Sequence, residues 1–163
     1  MNTTGYNEID LKNWKNYPEI KTSSFWEYEV NTYEQIYKRY TKRNDLVLNI
    51  FCNSESAKEE AKKLDRKYLE IEDYEYDNSL PNVVNNKLKE LEQKNIQLLL
   101  LTPNLTDIRT SNTEEFFNTF KQFAKLGIDN LEQGRFVVLI IGNTYSNSTL
   151  HLEAFEYAQF LTS

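Results

Sequence analysis

The segment from Asp45 to Ser56 constrains the fold of this chain more than any other feature of the sequence. Its apolar run LVLNIF is typical of a strand that is covered on both faces. A charged helical segment, Ala57 to Leu64, and a second strand, Lys67 to Glu72, follow it. Strand, turn, helix and strand in this order predict the opening of a nucleotide-binding α/β sheet, with a ligand at the turn. Such turns usually contain glycine, which lets the backbone approach a ligand closely, and this turn contains none.

The composition limits the chemistry that is available to the chain. A length of 163 residues suits a single domain. The net charge of −6 disfavours a broad phosphate-binding face, although local basic patches stay open. The single Cys52 excludes an internal disulfide framework and a cysteine-based zinc site. Because there is also just one histidine, metal chemistry has only carboxylates to use, and we expect no metal site.

The N-terminal sequence MNTTGYNEIDLKNW lacks the basic start and the apolar core of a signal peptide. The longest apolar runs are far too short to cross a bilayer. These features predict a soluble, cytoplasmic protein without a membrane partner. We expect residues 1–22 to form an irregular N-terminal arm and residues 23–163 to form a single α/β domain.

Aromatic residues after Ser24 fall mostly at helical spacings, with Ser23 or Ser24 as candidate caps. We therefore predict a helix of about four to five turns that ends near the basic segment Lys38–Arg43. Two interpretations of this basic segment stay open. Its cations complement the C-terminal end of the helix dipole, or they contact a nucleic acid.

The rest of the chain alternates between helical and strand patterns. Further helices are predicted over residues 56–64, 81–94, 113–126 and 150–161, and strands over residues 46–51, 67–72, 96–101 and 135–141. We expect Val83 to face the core, Gly127 and Gly134 to frame a turn, and His151 to lie on a helix surface. The alternation predicts a three-layer α/β fold with a mainly parallel sheet of about four strands, flanked by helices.

Three segments agree in order and spacing with a known pattern. They read YTKRNDLVLNIFCNSESAKEEAKKLDRKYLEIED, LLLLTPNLTDI and GRFVVLIIGN. From about Phe25 to its C-terminus the chain thus resembles the AdoMet-dependent DNA amino-methyltransferases, which methylate adenine N6 or cytosine N4. The resemblance implies a Rossmann-like methyltransferase fold. The short segment between Asp73 and Ile96 implies that at least one strand of the usual sheet is missing, and the usual terminal hairpin is expected to be missing too.

The resemblance also implies where the functional sites lie. The positions of the AdoMet site are Asn49, Phe51, Asn53, Glu55 and Glu72. The family's catalytic loop holds the target amino group and stacks the flipped base. Its place is taken here by Thr102, Pro103, Asn104 and Leu105, with Leu105 instead of the aromatic residue that stacks the base.

Most of these positions depart from the family's pattern. Asn49 replaces an acidic residue, and glycines are replaced at three positions, Asn53, Glu55 and Glu70. A Cβ atom at Asn53 and at Glu55 crowds the approach of the cofactor's amino-acid moiety to the backbone. Glu55 also brings a negative charge toward the AdoMet carboxylate. Glu72, in the place of the residue that binds the ribose hydroxyls, keeps the pattern.

Two functional hypotheses follow. The first is a catalytically inactive, methyltransferase-like protein without a cofactor, which binds a protein, a second copy of itself, or a nucleic acid, with DNA reached through a partner. The second is a divergent, active DNA amino-methyltransferase that uses AdoMet, with ribose binding by Glu72 and amino-group positioning by Thr102 and Pro103. A Ser-His-Asp hydrolase is a poor candidate, because His151 stands alone and no Gly-x-Ser-x-Gly elbow is present.

Overall fold

The computed structural model describes residues 31–51, 54–71, 79–103, 113–141, 144–146, 149–151 and 153–162. In these ranges the helices are α1 (Thr32–Tyr40), α2 (Glu55–Lys63), α3 (Leu80–Glu90), α4 (Thr113–Asp129) and α5 (Glu153–Thr162). The strands are β1 (Leu46–Ile50), β2 (Lys67–Ile71), β3 (Ile96–Leu101), β4 (Leu131–Leu139), β5 (Thr144–Ser146) and β6 (Thr149–His151). The expected N-terminal arm, residues 1–22, lies outside the described residues.

Four of the strands form one parallel sheet in the order β2-β1-β3-β4. Helices α1 and α2 pack on one face of this sheet, and α3, α4 and α5 pack on the other. The predicted three-layer α/β fold, a reduced Rossmann-like arrangement, is therefore confirmed. Strands β5 and β6 form a separate antiparallel pair. Within the described residues, no helix is long and apolar enough to cross a membrane.

The two central strands, β1 and β3, carry the core. Every residue of both strands is buried, as their apolar runs predict for strands that are covered on both faces. Full burial of each Leu or Ile side chain stabilises the fold by about 1.5–3 kcal/mol relative to exposure. The larger core lies on the α4 face, where Phe116, Phe120 and Phe123 are buried.

The first helix is shorter than the aromatic spacing predicts. Asn31 has an extended backbone (φ −66°, ψ 102°), so a helix that begins at Ser24 cannot continue through it, and that prediction is wrong. Asn31 itself caps α1, because its side chain accepts a hydrogen bond from the Glu34 N–H at 3.2 Å. The helix does end beside the basic segment, at Tyr40. The candidate caps Ser23 and Ser24 lie outside the described residues.

The turn predicted between Gly127 and Gly134 is tighter than these glycines suggest, because α4 runs through Gly127 to Asp129 and β4 begins at Leu131, which leaves Asn130 as the turn. A Cβ atom on Gly127 would lie 2.5 Å from Leu99 Cδ1 on β3, so glycine lets the helix approach the sheet closely. Gly134 lies within β4 with φ 80°, at the irregularity in the pairing of β4 with β3.

Two single-residue predictions are corrected as well. Val83 is 46% exposed, whereas its neighbour Val84 is 1% exposed and packs into the core. Val84 and Leu88, four residues apart, share the buried face of α3, and Val83 is turned away from that face. His151 belongs to strand β6, where it pairs with Thr144, and does not lie on a helix.

Candidate functional site

The order of the strands defines a switch point between β1 and β3. From β1 the chain passes through α2 to β2 on one side, and α3 then returns it to β3 on the other side of β1. In open parallel sheets, ligands bind outside the carboxyl ends of the strands at such a point. The described site residues Asn49, Phe51, Thr102 and Pro103 all lie there, at the carboxyl ends of β1 and β3.

Asn49 and Thr102, which were assigned to the cofactor site and to the catalytic loop, contact each other directly. The Thr102 hydroxyl donates to Asn49 Oδ1 at 3.1 Å. The Thr102 N–H donates to the Ile50 carbonyl, also at 3.1 Å, and so continues the pairing of the two strands beyond β3. The Asn49 side chain is fully buried, and Pro103 beside Thr102 is buried too.

A chain of hydrogen bonds continues from Asn49 across β2. Asn49 Nδ2 donates to Tyr68 Oη at 2.9 Å, and Tyr68 Oη donates to Glu70 Oε1 at 3.1 Å. The register explains these contacts, since Asn49 lies opposite Glu70 and alternate residues of a strand share a face. We call the four side chains Asn49, Tyr68, Glu70 and Thr102 the switch-point network.

The network ends at the N-terminus of α2. The Ser54 N–H donates to Glu70 Oε1 at 3.4 Å, and the Ser54 hydroxyl caps the helix by accepting from the Ala57 N–H at 3.2 Å. Glu55, the first residue of α2, is exposed. A helix N-terminus favours negative charge, so both carboxylates suit this position. The anion-binding position of this helix therefore faces a carboxylate of the chain itself.

Phe51 turns the chain sharply at the end of β1. Its φ of 69° lies in the left-handed region, which costs a bulky residue roughly 1–2 kcal/mol. If β1 continued its alternation, the Phe51 side chain would lie on the opposite face of the sheet from the Ile50 side chain. Instead, the Phe51 ring joins the same core as Ile50. There it packs against three phenylalanines of α4, with ring centroids 5.8, 5.9 and 5.0 Å away: Phe116, Phe120 and Phe123. This buried ring anchors the turn to the core.

The sequence hypothesis placed Asn49, Glu70 and Thr102 near one another but missed Tyr68. A signal was present, because in the strand KYLEI the residues Tyr68 and Glu70 alternate onto the same face. Four other assigned site residues lie outside the described residues: Asn53, Glu72, Asn104 and Leu105.

Other polar features of the described residues lie away from the switch point. An open groove of about 510 Å³ between α3 and α4 contains Asn85 and Gln122 but no member of the network. No group of three or more His, Cys, Asp or Glu side chains that could hold a metal ion occurs among the described residues.

The basic segment at the end of α1 is partly paired with acidic side chains. Lys38 Nζ lies 3.1 Å from Glu34 Oε1 on the same helix, and Arg43 Nε lies 3.9 Å from Asp65 Oδ2. The Arg43–Asp65 pair is exposed, so it contributes little stability and is screened by salt, whereas the side chains of Lys38 and Glu34 are mostly buried.

The amino end of the sheet holds a second polar cluster, in which Asp45 Oδ2 accepts from Arg135 Nη1 at 3.2 Å and from the Lys42 N–H at 2.9 Å. Burial raises the pKa of the Asp45 carboxyl above its ordinary value, although the Lys42 N–H and the charge of Arg135 act in the opposite direction. This cluster joins α1, β1 and β4 and takes no part in the switch point.

The fold and the site together define a Rossmann-like α/β domain whose switch point carries a closed polar network. Comparisons with protein-family models, with curated proteins and with solved structures found no match.

Proposed function

We propose that this chain is a catalytically inactive, methyltransferase-like protein that has lost AdoMet binding and acts by binding a partner. The observation that carries the proposal is the switch-point network. It joins the carboxyl ends of β3, β1 and β2 to the N-terminus of α2 with side chains of the chain itself. In an enzyme with this fold, ligand atoms would occupy the same place.

The hydrogen-bonding capacity of the network supports the proposal first. Asn49 uses its carbonyl for Thr102 and its amide for Tyr68, and Tyr68 in turn donates to Glu70. Each such bond contributes about 0.5–1.5 kcal/mol, and one to a charged group contributes about 1.5–3 kcal/mol. A ligand that entered would have to break these bonds and replace them with its own.

The charge at the helix N-terminus supports it second. The AdoMet amino-acid moiety ends in a carboxylate, and the position that favours such a group already faces Glu70. Two unit charges of the same sign at 4 Å repel by about 4 kcal/mol at an effective dielectric constant of about 20. The residues at this helix end thus do not fit a cofactor carboxylate.

The pairing of substitutions supports it third. The family pattern has an acidic residue on the first strand and a glycine on the second. In this chain those two positions are Asn49 on β1 and Glu70 on β2, and they lie opposite each other. Tyr68 bridges the two, and it can donate its single proton to only one carboxylate. An amide at position 49 supplies the donor that a carboxylate lacks. The two replacements therefore form one compensated structural unit.

Isothermal titration calorimetry of the full chain with AdoMet tests the proposal. We expect no saturable heat at ligand concentrations up to about 1 mM, because binding weaker than that corresponds to less than about 4 kcal/mol. An established AdoMet-binding methyltransferase, titrated under the same conditions, controls for the quality of the ligand. Micromolar binding that Glu72→Ala abolishes would overturn the proposal, since Glu72 is the one cofactor position that keeps the family's residue.

One observation favours the second candidate, a divergent DNA amino-methyltransferase that uses AdoMet. Thr102 and Asn49 lie 3.1 Å apart at the switch point, with Pro103 beside them, so the cofactor position and the loop position adjoin as catalysis would require. Transfer of labelled methyl groups from AdoMet to duplex DNA, lost in Thr102→Ala and retained in the exposed-site control Lys125→Ala, would support this candidate.

A further inference from the structure

Strand β4 is an edge strand with the composition of an interior strand. Among the described residues its strand neighbour is β3, and it is the last strand of the sheet on that side. The segment Phe136–Ile141 reads FVVLII, and each of its residues is half-buried. On β3 a similarly apolar run is fully buried.

The two faces of β4 show the same interior character. Val137, Leu139 and Ile141 pack toward the α4 core. Phe136, Val138 and Ile140 pack toward the α1 core, where Tyr40 lies over Phe136 with ring centroids 4.8 Å apart. A strand that is apolar on both faces is typical of sheet interiors, and a long apolar edge invites pairing with another strand.

The backbone of β4 presents free pairing positions at defined residues. Ile140 donates its N–H to the Leu101 carbonyl at 2.9 Å, so Ile140 faces β3. Successive residues of a strand direct their N–H and C=O groups to opposite sides. Val137 and Leu139 therefore direct theirs away from β3, toward the open side of the sheet.

We propose that β4 pairs with β4 of a second copy of this chain, antiparallel and about a two-fold axis at Val138. In this register Val137 lies opposite Leu139 of the second copy, and the two residues exchange both of their N–H···O bonds. The axis repeats the exchange on its other side. The two copies together form an eight-stranded sheet. The second copy is then the partner that the proposed function calls for, and this inference rests on the proposed function only in assuming that the protein acts by binding.

Charge and symmetry favour a second copy as the occupant. The segment Phe136–Ile141 contains no charged residue, so self-pairing places no like charges opposite each other. The charge nearest to it, on Arg135, is 7% exposed and is held by Asp45 and Glu132. A contact of one surface with itself closes at two copies. The other edge, β2, is short and carries Lys67 and Glu70, which discourages further strand addition.

Size-exclusion chromatography with light scattering on the full chain tests this inference, with Val137→Pro as the main variant. The wild type is expected at twice 19.4 kDa. Proline removes the outward N–H of β4 and leaves the bonds to β3 in place. Because each dimer loses two hydrogen bonds, we expect the dissociation constant to rise about 30-fold. The matched control Val137→Ala keeps the N–H while it shortens the side chain, and it is expected to stay dimeric.

A monomeric wild type would overturn the inference, and so would equal weakening by Val137→Pro and Val137→Ala. Hydrogen exchange of the wild type gives a second test that needs no variant. The amides of Val137 and Leu139 should be protected in the dimer and lose protection on dilution. Protection that does not change with concentration would mean that another segment of the same chain covers β4. Calorimetry with AdoMet is independent of these results, so the two proposals fail separately.

Discussion

Replacement of Asn49 by aspartate tests the compensated pair of Asn49 and Glu70. The change substitutes one oxygen for one nitrogen, so the volume of the fully buried side chain is preserved. The new carboxylate still accepts from Thr102, but it cannot donate to Tyr68 as the amide does. It also places a second negative charge beside Tyr68, whose hydroxyl already donates to the carboxylate of Glu70.

The expected cost is about 3–5 kcal/mol at neutral pH, from two contributions. Loss of the hydrogen bond to Tyr68 costs about 0.5–1.5 kcal/mol. Tyr68 Oη lies 2.9 Å from Asn49 Nδ2 and 3.1 Å from Glu70 Oε1, so the two charges are at most about 6 Å apart and repel by about 3 kcal/mol at an effective dielectric constant of about 20. Burial adds to the cost, because it raises the pKa of the new carboxyl above that of an unfolded aspartate.

Urea unfolding of four proteins measures this coupling: the wild type, Asn49→Asp, Glu70→Gln and the double variant. Glu70→Gln removes one of the two charges, so Asn49→Asp should cost about 2–3 kcal/mol less in that background. The loss in unfolding free energy caused by Asn49→Asp alone should also shrink as the pH falls to about 4. A carboxyl whose pKa is raised by folding destabilises the protein as the pH rises through that pKa, and protonation removes this effect. Equal costs in both backgrounds, or a deficit that does not change with pH, would refute the reasoning.

Three further predictions concern the scaffold. Gly127→Ala should destabilise the protein by about 1 kcal/mol in thermal unfolding, since the clash with Leu99 exceeds the gain in helix propensity, and it should stabilise a Leu99→Ala background. Arg66→Lys should cost about 2 kcal/mol in urea unfolding, because the buried guanidinium bridges the hydroxyl and the carbonyl of Thr41 at 3.0 and 3.1 Å, and a single ammonium cannot; an unchanged unfolding midpoint would contradict this. The raised pKa of Asp45 means that its contribution to stability is fully present below its ordinary pKa of 3.8 and is lost as the pH rises through the folded pKa. The wild type should therefore lose stability relative to Asp45→Asn as the pH rises above 3.8, and parallel stability curves would contradict the assignment.

The parts of the fold that the sequence predicts correctly are those in which one physical signal dominates. The runs LVLNI and IQLLLL form the two central strands, because long apolar segments have no stable position except one covered on both faces. The order of strands and helices then leaves few parallel topologies with right-handed crossovers. Ser54, a residue type that favours helix N-termini, caps α2 with its hydroxyl.

The errors arise where tertiary contacts override local preference. Gly127 is a turn signal by composition, but in the structure it allows α4 to lie close to Leu99. The aromatic residues near α1 have helical spacing, yet Asn31 is extended, and its side-chain amide donates to the buried Glu60 carboxylate of α2 at 2.8 Å. Val83 was placed inward as an apolar residue of α3, but Val84 and Leu88 form the buried face of that helix and Val83 is turned away from it.

The switch-point network was only partly predictable. Comparison with the family pattern marked Asn49, Glu70 and Thr102 as replaced positions, one residue at a time. It did not show that the replacements contact one another, because that depends on the register of β1 with β2 and with β3. Tyr68, which links two of them, matches the family pattern, so a search for departures passes over it. Proximity in space turns separate departures into one structural unit.

The central claim is that the switch point is closed by its own side chains, and the side-chain amide of Asn49 reports on it most directly. This buried amide donates to Tyr68, so we expect its protons to exchange slowly with water. In a ¹⁵N–¹H NMR spectrum, its resonance should shift in the variant Tyr68→Phe. Titration with AdoMet to about 1 mM should leave the resonance unmoved, since binding weaker than that is below about 4 kcal/mol. A saturable shift of this resonance on addition of AdoMet would contradict the account.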